Sequence, residues 1–137
     1  MKMLLTKKFT FEMAHALDGY DGKCANLHGH SYHMEVTLAC PPPSSDSGMV
    51  ADFHSIKELV QQHIIDRYDH ALVLKAGTTL AQAAAGMPNL KNVDFNPTTE
   101  NLLLHFAALL QPHLPEGTCL HSIRLSETDT STAELLL

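Results

Sequence analysis

Basic residues are scarce in this sequence. Nine lysines and arginines stand against fifteen aspartates and glutamates, for a formal charge of -6 with histidine neutral. That balance leaves no basic field to attract phosphate, which excludes nucleic-acid binding by bulk charge. Cysteine is sparse as well: Cys24, Cys40 and Cys119 form an odd set without regular spacing. Such a set does not read as a disulfide framework and fits a reducing compartment. Long apolar runs are missing too. None approaches the ~20 residues of a membrane-spanning helix, and Met3-Leu4-Leu5 is too short for the core of a secretory signal. These absences predict a cytoplasmic protein that engages neither nucleic acid nor membrane.

What remains is a globular balance, 45% hydrophobic and 18% charged. A chain of 137 residues reads as one domain, residues 1–137, and at this size it buries about 68% of its unfolded surface. Lys2 to His15 alternates as a half-buried strand, with Phe9, Phe11 and Met13 on one face. His30 to Cys40 alternates again, and Tyr32, Met34, Val36 and Leu38 share the parity of His28 and His30. Between them, Asp18-Gly19-Tyr20-Asp21-Gly22 is turn chemistry. After the Pro41 to Gly48 breaker cluster, Asp52 reads as the N-cap of a helix ending near Tyr68, with Phe53, Ile56, Leu59, Val60, Ile64 and Tyr68 buried.

Lys75 to Lys91 reads as a surface insertion with a helical turn or two. Asn96-Pro97 opens a second helix, Asn as N-cap and Pro at the first helical position. Leu120 to Glu127 is a third strand, with His121, Ile123, Leu125 and Glu127 on one side, and Ala133 to Leu137 is a fourth. The expected fold class is α+β: a four-stranded antiparallel sheet with two helices on one face, in the order ββααββ. Its two edges need covering or pairing, which favours an oligomer.

His28-Gly29-His30 carries the chemistry. Side chains two apart on a strand point the same way, about 6.5 Å apart, so both imidazoles can reach one metal ion. With His15 as third ligand, tetrahedral zinc keeps one open position, the catalytic pattern. Cys24 has three readings: a fourth ligand closing the site, a thiolate base or nucleophile, or an inert thiol. Asp69-His70 is either a helix end with polar residues or a carboxylate orienting an imidazole. Glu127 is a rim residue or an acceptor for two parallel donors, such as the edge of a 2-amino-4-oxo ring. Glu100 is a first-turn acid favoured by the helix dipole. His63, His113 and His121 read as ordinary helix and strand positions.

Phe9-x-Phe11-x-x-Ala14-His15, Cys24-x-x-x-His28-Gly29-His30, Met49-Val50-x-Asp52-Phe53, Asp69-His70, Asn96-Pro97-Thr98-x-Glu100 and Glu127-Thr128 occur in that order. This pattern resembles the 6-pyruvoyltetrahydropterin and 6-carboxytetrahydropterin synthase family. The resemblance implies the tunnelling fold, in which three sheets join into a barrel and two trimers stack into a homohexamer. It implies zinc on His15, His28 and His30, and catalysis by Cys24, Asp69 and His70, the last two from a neighbouring subunit. It also implies pterin anchoring by Glu127 and substrate contacts at Thr98, Thr99 and Glu100. The three-residue gap after Cys24 is similar to that of the bacterial carboxytetrahydropterin synthases of queuosine biosynthesis. The implied activity is that of a lyase: 7,8-dihydroneopterin triphosphate becomes 6-carboxy-5,6,7,8-tetrahydropterin, releasing acetaldehyde and triphosphate. The pyruvoyl synthase and a non-catalytic zinc-stabilised module stand as alternatives. Lys75 to Phe95 is longer than in short bacterial members, and the resemblance assigns it no role.

Overall fold

The computed structural model describes residues 1–137. Strand β1 (Met3–His15) and strand β2 (His28–Cys40) pair antiparallel along their whole length, from Met3 opposite Cys40 to His15 opposite His28. Alternation sends Phe11 and Met13 of β1 to the same face as Tyr32, Met34, Val36 and Leu38 of β2, all buried. Phe11 and Tyr32 stack with ring centroids 5.1 Å apart. Strand β5 (Cys119–Thr128) lies beside β2, and β6 (Ser131–Leu136) pairs with β5.

The four strands read from the sequence are present, but they are not the whole sheet. On the free side of β1 lie β3 (Ala71–Lys75) and then β4 (Leu90–Val93), so six strands run in the order β4-β3-β1-β2-β5-β6. Both additions are parallel pairings, β3 to β1 and β4 to β3. The sheet is therefore mixed rather than antiparallel. A parallel pair needs a crossover. Helix α3 (Thr79–Ala83), capped by the Thr78 hydroxyl, supplies it. The segment read as a surface insertion, Lys75 to Lys91, is thus the crossover between two strands: it runs from the end of β3, whose Leu72, Val73 and Leu74 are buried, through α3 to the start of β4.

The long helices pack on one face. Asp52 caps α1 (Phe53–Val60), its Oδ1 accepting from the His54 N–H at 2.9 Å. Such a cap contributes about 1 kcal/mol. The run continues through a π-helical turn at Gln61–Ile65 into α2 (Asp66–Tyr68). Ile56, Val60, Ile64 and Tyr68 reach the core, whereas Phe53, expected to be buried, is 47% exposed. Helix α4 (Thr99–Leu110) buries Leu102, Leu103, Phe106, Ala107 and Leu110. Its N-cap is Thr98, not Asn96: the Thr98 hydroxyl accepts from the Asn101 N–H, and Pro97 precedes the helix. One more reading changes at β5. Thr37 faces Ser122 but Leu38 faces Leu120, so His121 is an extra residue in a bulge. Leu120 enters the core in its place.

Candidate metal centre and adjoining pocket

His15 ends the buried face of β1, and His28 sits opposite it on β2. His30 is two residues along β2 on the same face, opposite Met13. The rings lie with centroids 4.6 to 5.2 Å apart, and one ligand nitrogen from each falls within 4.8 Å of the others. Tyr32 underlies His15 and His30, so the cluster rests on the apolar core.

Hydrogen bonds fix the tautomers. His15 Nδ1–H donates to the Pro97 carbonyl at 2.8 Å, and His28 Nδ1–H donates to the Asn26 carbonyl at 2.7 Å. Each ring therefore turns an Nε2 lone pair inward while a carbonyl holds its other nitrogen, as metal-ligating histidines are held. The two Nε2 atoms stand 3.1 Å apart. Facing lone pairs at that distance repel unless a cation or proton lies between them. His30 Nε2 is buried with no hydrogen-bond partner. Nitrogens around tetrahedral zinc are about 3.3 Å apart for bonds near 2.05 Å. This donor set can hold a metal ion. Burial, more than any neighbouring charge, keeps His15 and His30 below the usual imidazole pKa, so both are neutral and receptive near pH 7.

A pocket of about 380 Å³ is lined by Cys24, Thr98, Thr99, Glu100, Glu127 and Thr132, among others. Cys24 sits in a 3-10 turn, Lys23–Ala25, and is half-buried. Glu127 Oε1 accepts from the Thr99 hydroxyl at 2.6 Å. Thr98 spends its hydroxyl on capping α4, and Glu100 is exposed in the first turn.

Asp69 and His70 lie elsewhere. His70 lines a pocket of about 340 Å³ together with Glu12, Met13, Ala14, Gly29, His30, Ser31 and Asn89. Glu12, Ala14, Gly29 and Ser31 have the opposite strand parity to His15, His28 and His30, so most of this pocket's lining belongs to the other face of the sheet. His70 takes φ 62, a left-handed conformation that costs a non-glycine residue roughly 1 kcal/mol. That turn is what lets neighbours in sequence meet: Asp69 Oδ1 lies 3.0 Å from His70 Nδ1. The same oxygen accepts from the Glu12 N–H at 2.9 Å, and the His70 backbone is bonded to Glu12 and Asn89. The Glu12 N–H, and secondarily His70, holds the Asp69 carboxyl below its ordinary pKa.

The structure brings His15, His28 and His30 together and lines one pocket with Cys24, Thr98, Thr99, Glu100 and Glu127, while Thr132, Glu12, Ser31 and Asn89, which also line the two pockets, were not read as site residues. Sequence reasoning also missed the groups behind them: the Pro97 and Asn26 carbonyls, the Thr99 bond to Glu127, and the Asn96 side chain, which bonds both polar backbone groups of Asp18. The signal available was the polar run Asn96 to Thr99 beside a proline.

Residues 4–136 match the sequence profile of the 6-pyruvoyl tetrahydropterin synthase family. The chain belongs to that family. It is 36% identical over 137 residues to a 6-carboxy-5,6,7,8-tetrahydropterin synthase of Haemophilus influenzae, covering 95% of this chain and 96% of the relative. It is 33% identical to the protein of the same name from Rickettsia bellii, covering 95% and 97%. The fold matches a 6-pyruvoyl tetrahydropterin synthase structure from Caenorhabditis elegans with TM-score 0.76 at 20% identity, over 100% of this chain and 96% of that one. As in the sequence expectation, the fold is α+β. No helix is long and apolar enough to cross a membrane.

Proposed function

We propose that this pterin-synthase-family lyase converts 7,8-dihydroneopterin triphosphate to 6-carboxy-5,6,7,8-tetrahydropterin, releasing acetaldehyde and triphosphate, as a step toward queuosine and related 7-deazapurines. The observation that carries this reading is one pocket lined by both Cys24 and Glu127, with Glu127 near enough for its charge to act on His15 and His30 of the histidine cluster. The carboxy product is supported by the names of the full-length relatives at 36% and 33% identity.

In this reading His15, His28 and His30 hold zinc. Zinc bound there would supply Lewis-acid polarisation of the substrate's side-chain hydroxyls and lower the barrier to proton loss beside them. Glu127, pinned by Thr99, accepts two hydrogen bonds from the pterin ring edge and sets the side chain toward Cys24. Thr98, Thr99 and Glu100 line the pocket around the ring. Cys24 as thiolate takes a side-chain proton. His70, oriented by Asp69, relays protons to the departing group. Because His70 lines a pocket that holds neither Cys24 nor Glu127, it and its partner Asp69 serve the Cys24 pocket of a neighbouring copy. The protein is accordingly a homo-oligomer, a hexamer made as a dimer of trimers, with the sheet edges β4 and β6 available for pairing. The cell compartment is the cytoplasm.

Incubation of zinc-loaded protein with 7,8-dihydroneopterin triphosphate, followed by product identification, tests the reading. Acetaldehyde and the carboxy-pterin support it. A 6-pyruvoyl product that keeps all side-chain carbons moves the chain to the pyruvoyl branch. No reaction with zinc fully bound leaves the zinc-stabilised module.

A further inference from the structure

The turn Asn96-Pro97-Thr98-Thr99 holds His15, Glu127 and the loop that carries Cys24 from one short stretch of chain. The Pro97 carbonyl holds His15, and the Thr99 hydroxyl holds Glu127. Asn96 makes the third link. Its Oδ1 accepts from the Asp18 N–H at 2.9 Å, and its Nδ2 donates to the Asp18 carbonyl at 3.0 Å. Asp18 offers one donor and one acceptor, so a single orientation of the amide satisfies both.

The bonds continue to the thiol. Leu17, next to Asp18, donates its N–H to the Cys24 carbonyl at 3.0 Å. At the far end of the same loop, the Asn26 carbonyl is held by His28. The loop from Leu17 to Leu27 carries Gly19 at φ 73 and is mostly exposed. Its two side-chain anchors are therefore a metal-cluster histidine at one end and Asn96 at the other. Asn96 is itself fixed, its carbonyl accepting from Asn101 Nδ2 at 2.9 Å and from the Thr98 N–H at 2.7 Å.

We propose that Asn96 is a positioning residue for Cys24: its amide clamps the Cys24 loop to the same turn that holds His15 and Glu127, and so fixes the thiol relative to metal and pterin. The inference rests on Cys24 being the base and Glu127 the pterin anchor. A misplacement of about 1 Å in a reacting group can cost on the order of 100-fold in rate, and the clamp supplies that placement. Both bonds are to backbone, so alanine removes them without disturbing any side chain of the site.

The test compares wild type with Asn96→Ala, both zinc-loaded. Zinc content, neopterin affinity, kcat, and iodoacetamide alkylation of Cys24 followed by peptide mapping are measured. The expected result is unchanged zinc and unchanged neopterin affinity, with kcat lowered about 10- to 100-fold. Cys24 alkylates faster, and neopterin no longer protects it. Unchanged kcat and alkylation overturn the proposal. So does a parallel fall of zinc, neopterin affinity and kcat, which marks general loosening. Where Asn96→Ala fails to fold, Asn96→Asp replaces it: the acceptor for the Asp18 N–H stays and the donor to its carbonyl is lost, with the same expected pattern. Should wild type neither bind neopterin nor turn over, the pterin reading fails, while faster alkylation in the variant still identifies the clamp and equal rates remove it.

Discussion

His15, His28 and His30 end the buried face of β1 and β2, whereas Asp69 and His70 lie against the other face of the same strands. The first group is held from behind by carbonyls of its own chain and floored by Tyr32. The His70 side chain is 78% exposed, and the pocket beside it contains neither the thiol nor Glu127. Yet the left-handed turn at His70 is tied to Glu12 and Asn89 by backbone bonds. A strained, well-anchored imidazole on an open surface suits the role proposed for it toward a neighbouring copy. In the proposed reading the metal ligands and the pterin anchor come from one chain, whereas the Asp-His pair works across a boundary to a second.

The largest expected effect lies in the self-contained half. His30→Ala removes a ligand whose Nε2 has no protein partner, so metal content falls below one per chain and turnover disappears. Metal analysis and a turnover assay on the same sample check it, and full metal occupancy in the variant refutes the three-histidine site.

Next comes Cys24→Ala. The three imidazoles suffice for a metal, so zinc stays while turnover drops about 100- to 10,000-fold, the span of a lost general base. Loss of zinc together with the fold would instead make Cys24 a closing ligand.

The comparison itself is tested by mixing. Cys24→Ala and His70→Ala are each expected to retain only a small residue of activity alone. If the pair acts across a subunit boundary, co-refolding them restores about a quarter of wild-type activity, because half the thiol pockets are intact and half of those meet an intact His70. Activity that stays at the level of the single variants would confine the chemistry to one chain.

Glu127→Gln has a smaller effect. The Thr99 hydroxyl claims one oxygen at 2.6 Å, so the amide of glutamine turns its NH₂ toward the ring donors, leaving a mismatched pair. A lost charge-assisted bond costs about 1.5–3 kcal/mol, read by calorimetry with a pterin analogue. Zinc content should not change. Equal affinity in both proteins would remove Glu127 from the ring edge.

The two halves also differed in how plainly the sequence announced them. Alternation in β1 and β2 is long and regular, so the parity of His15, His28 and His30 followed from Phe11, Met13, Tyr32 and Met34. Ala71-Leu72-Val73-Leu74 is buried throughout. A strand covered on both faces shows no alternation, and periodicity cannot separate it from a helical turn. Its partner β4 has only four residues, too few for any pattern. Asn96-Pro97 imitated a helix start because its residue types suit one. The Asn96 amide is instead spent on Asp18, 78 residues earlier in sequence, a contact no local rule contains. His121 misled for a similar reason: a bulge reverses parity, and nothing in Leu120-His121-Ser122 marks it.

Acid should separate the two clusters with the smallest effect of the set. In metal-free protein, burial lowers His15 and His30 below the ordinary value of 6.5. The unfolded chain then binds protons more readily, so their contribution is complete above pH 6.5 and is lost as pH falls through the lower folded values. His63 and His105 move the same way and add to this window. Asp69 acts lower. Its carboxyl, held down from 3.8 chiefly by the Glu12 N–H, contributes stability above that value that is lost as pH falls through its folded pKa. With its side chain 37% exposed, solvent screens much of that contribution. Melting temperatures of chelator-treated protein from neutral to acid pH should therefore decline in two stages. His30→Gln should make the first stage shallower, with His15, His63 and His105 keeping the remainder, and leave the second. Asp69→Asn should start lower at neutral pH and converge on wild type at the acid end. If both variants keep the wild-type slope throughout, neither cluster is perturbed as its surroundings require, and the contrast between a buried, self-contained site and an exposed, borrowed one loses its electrostatic support.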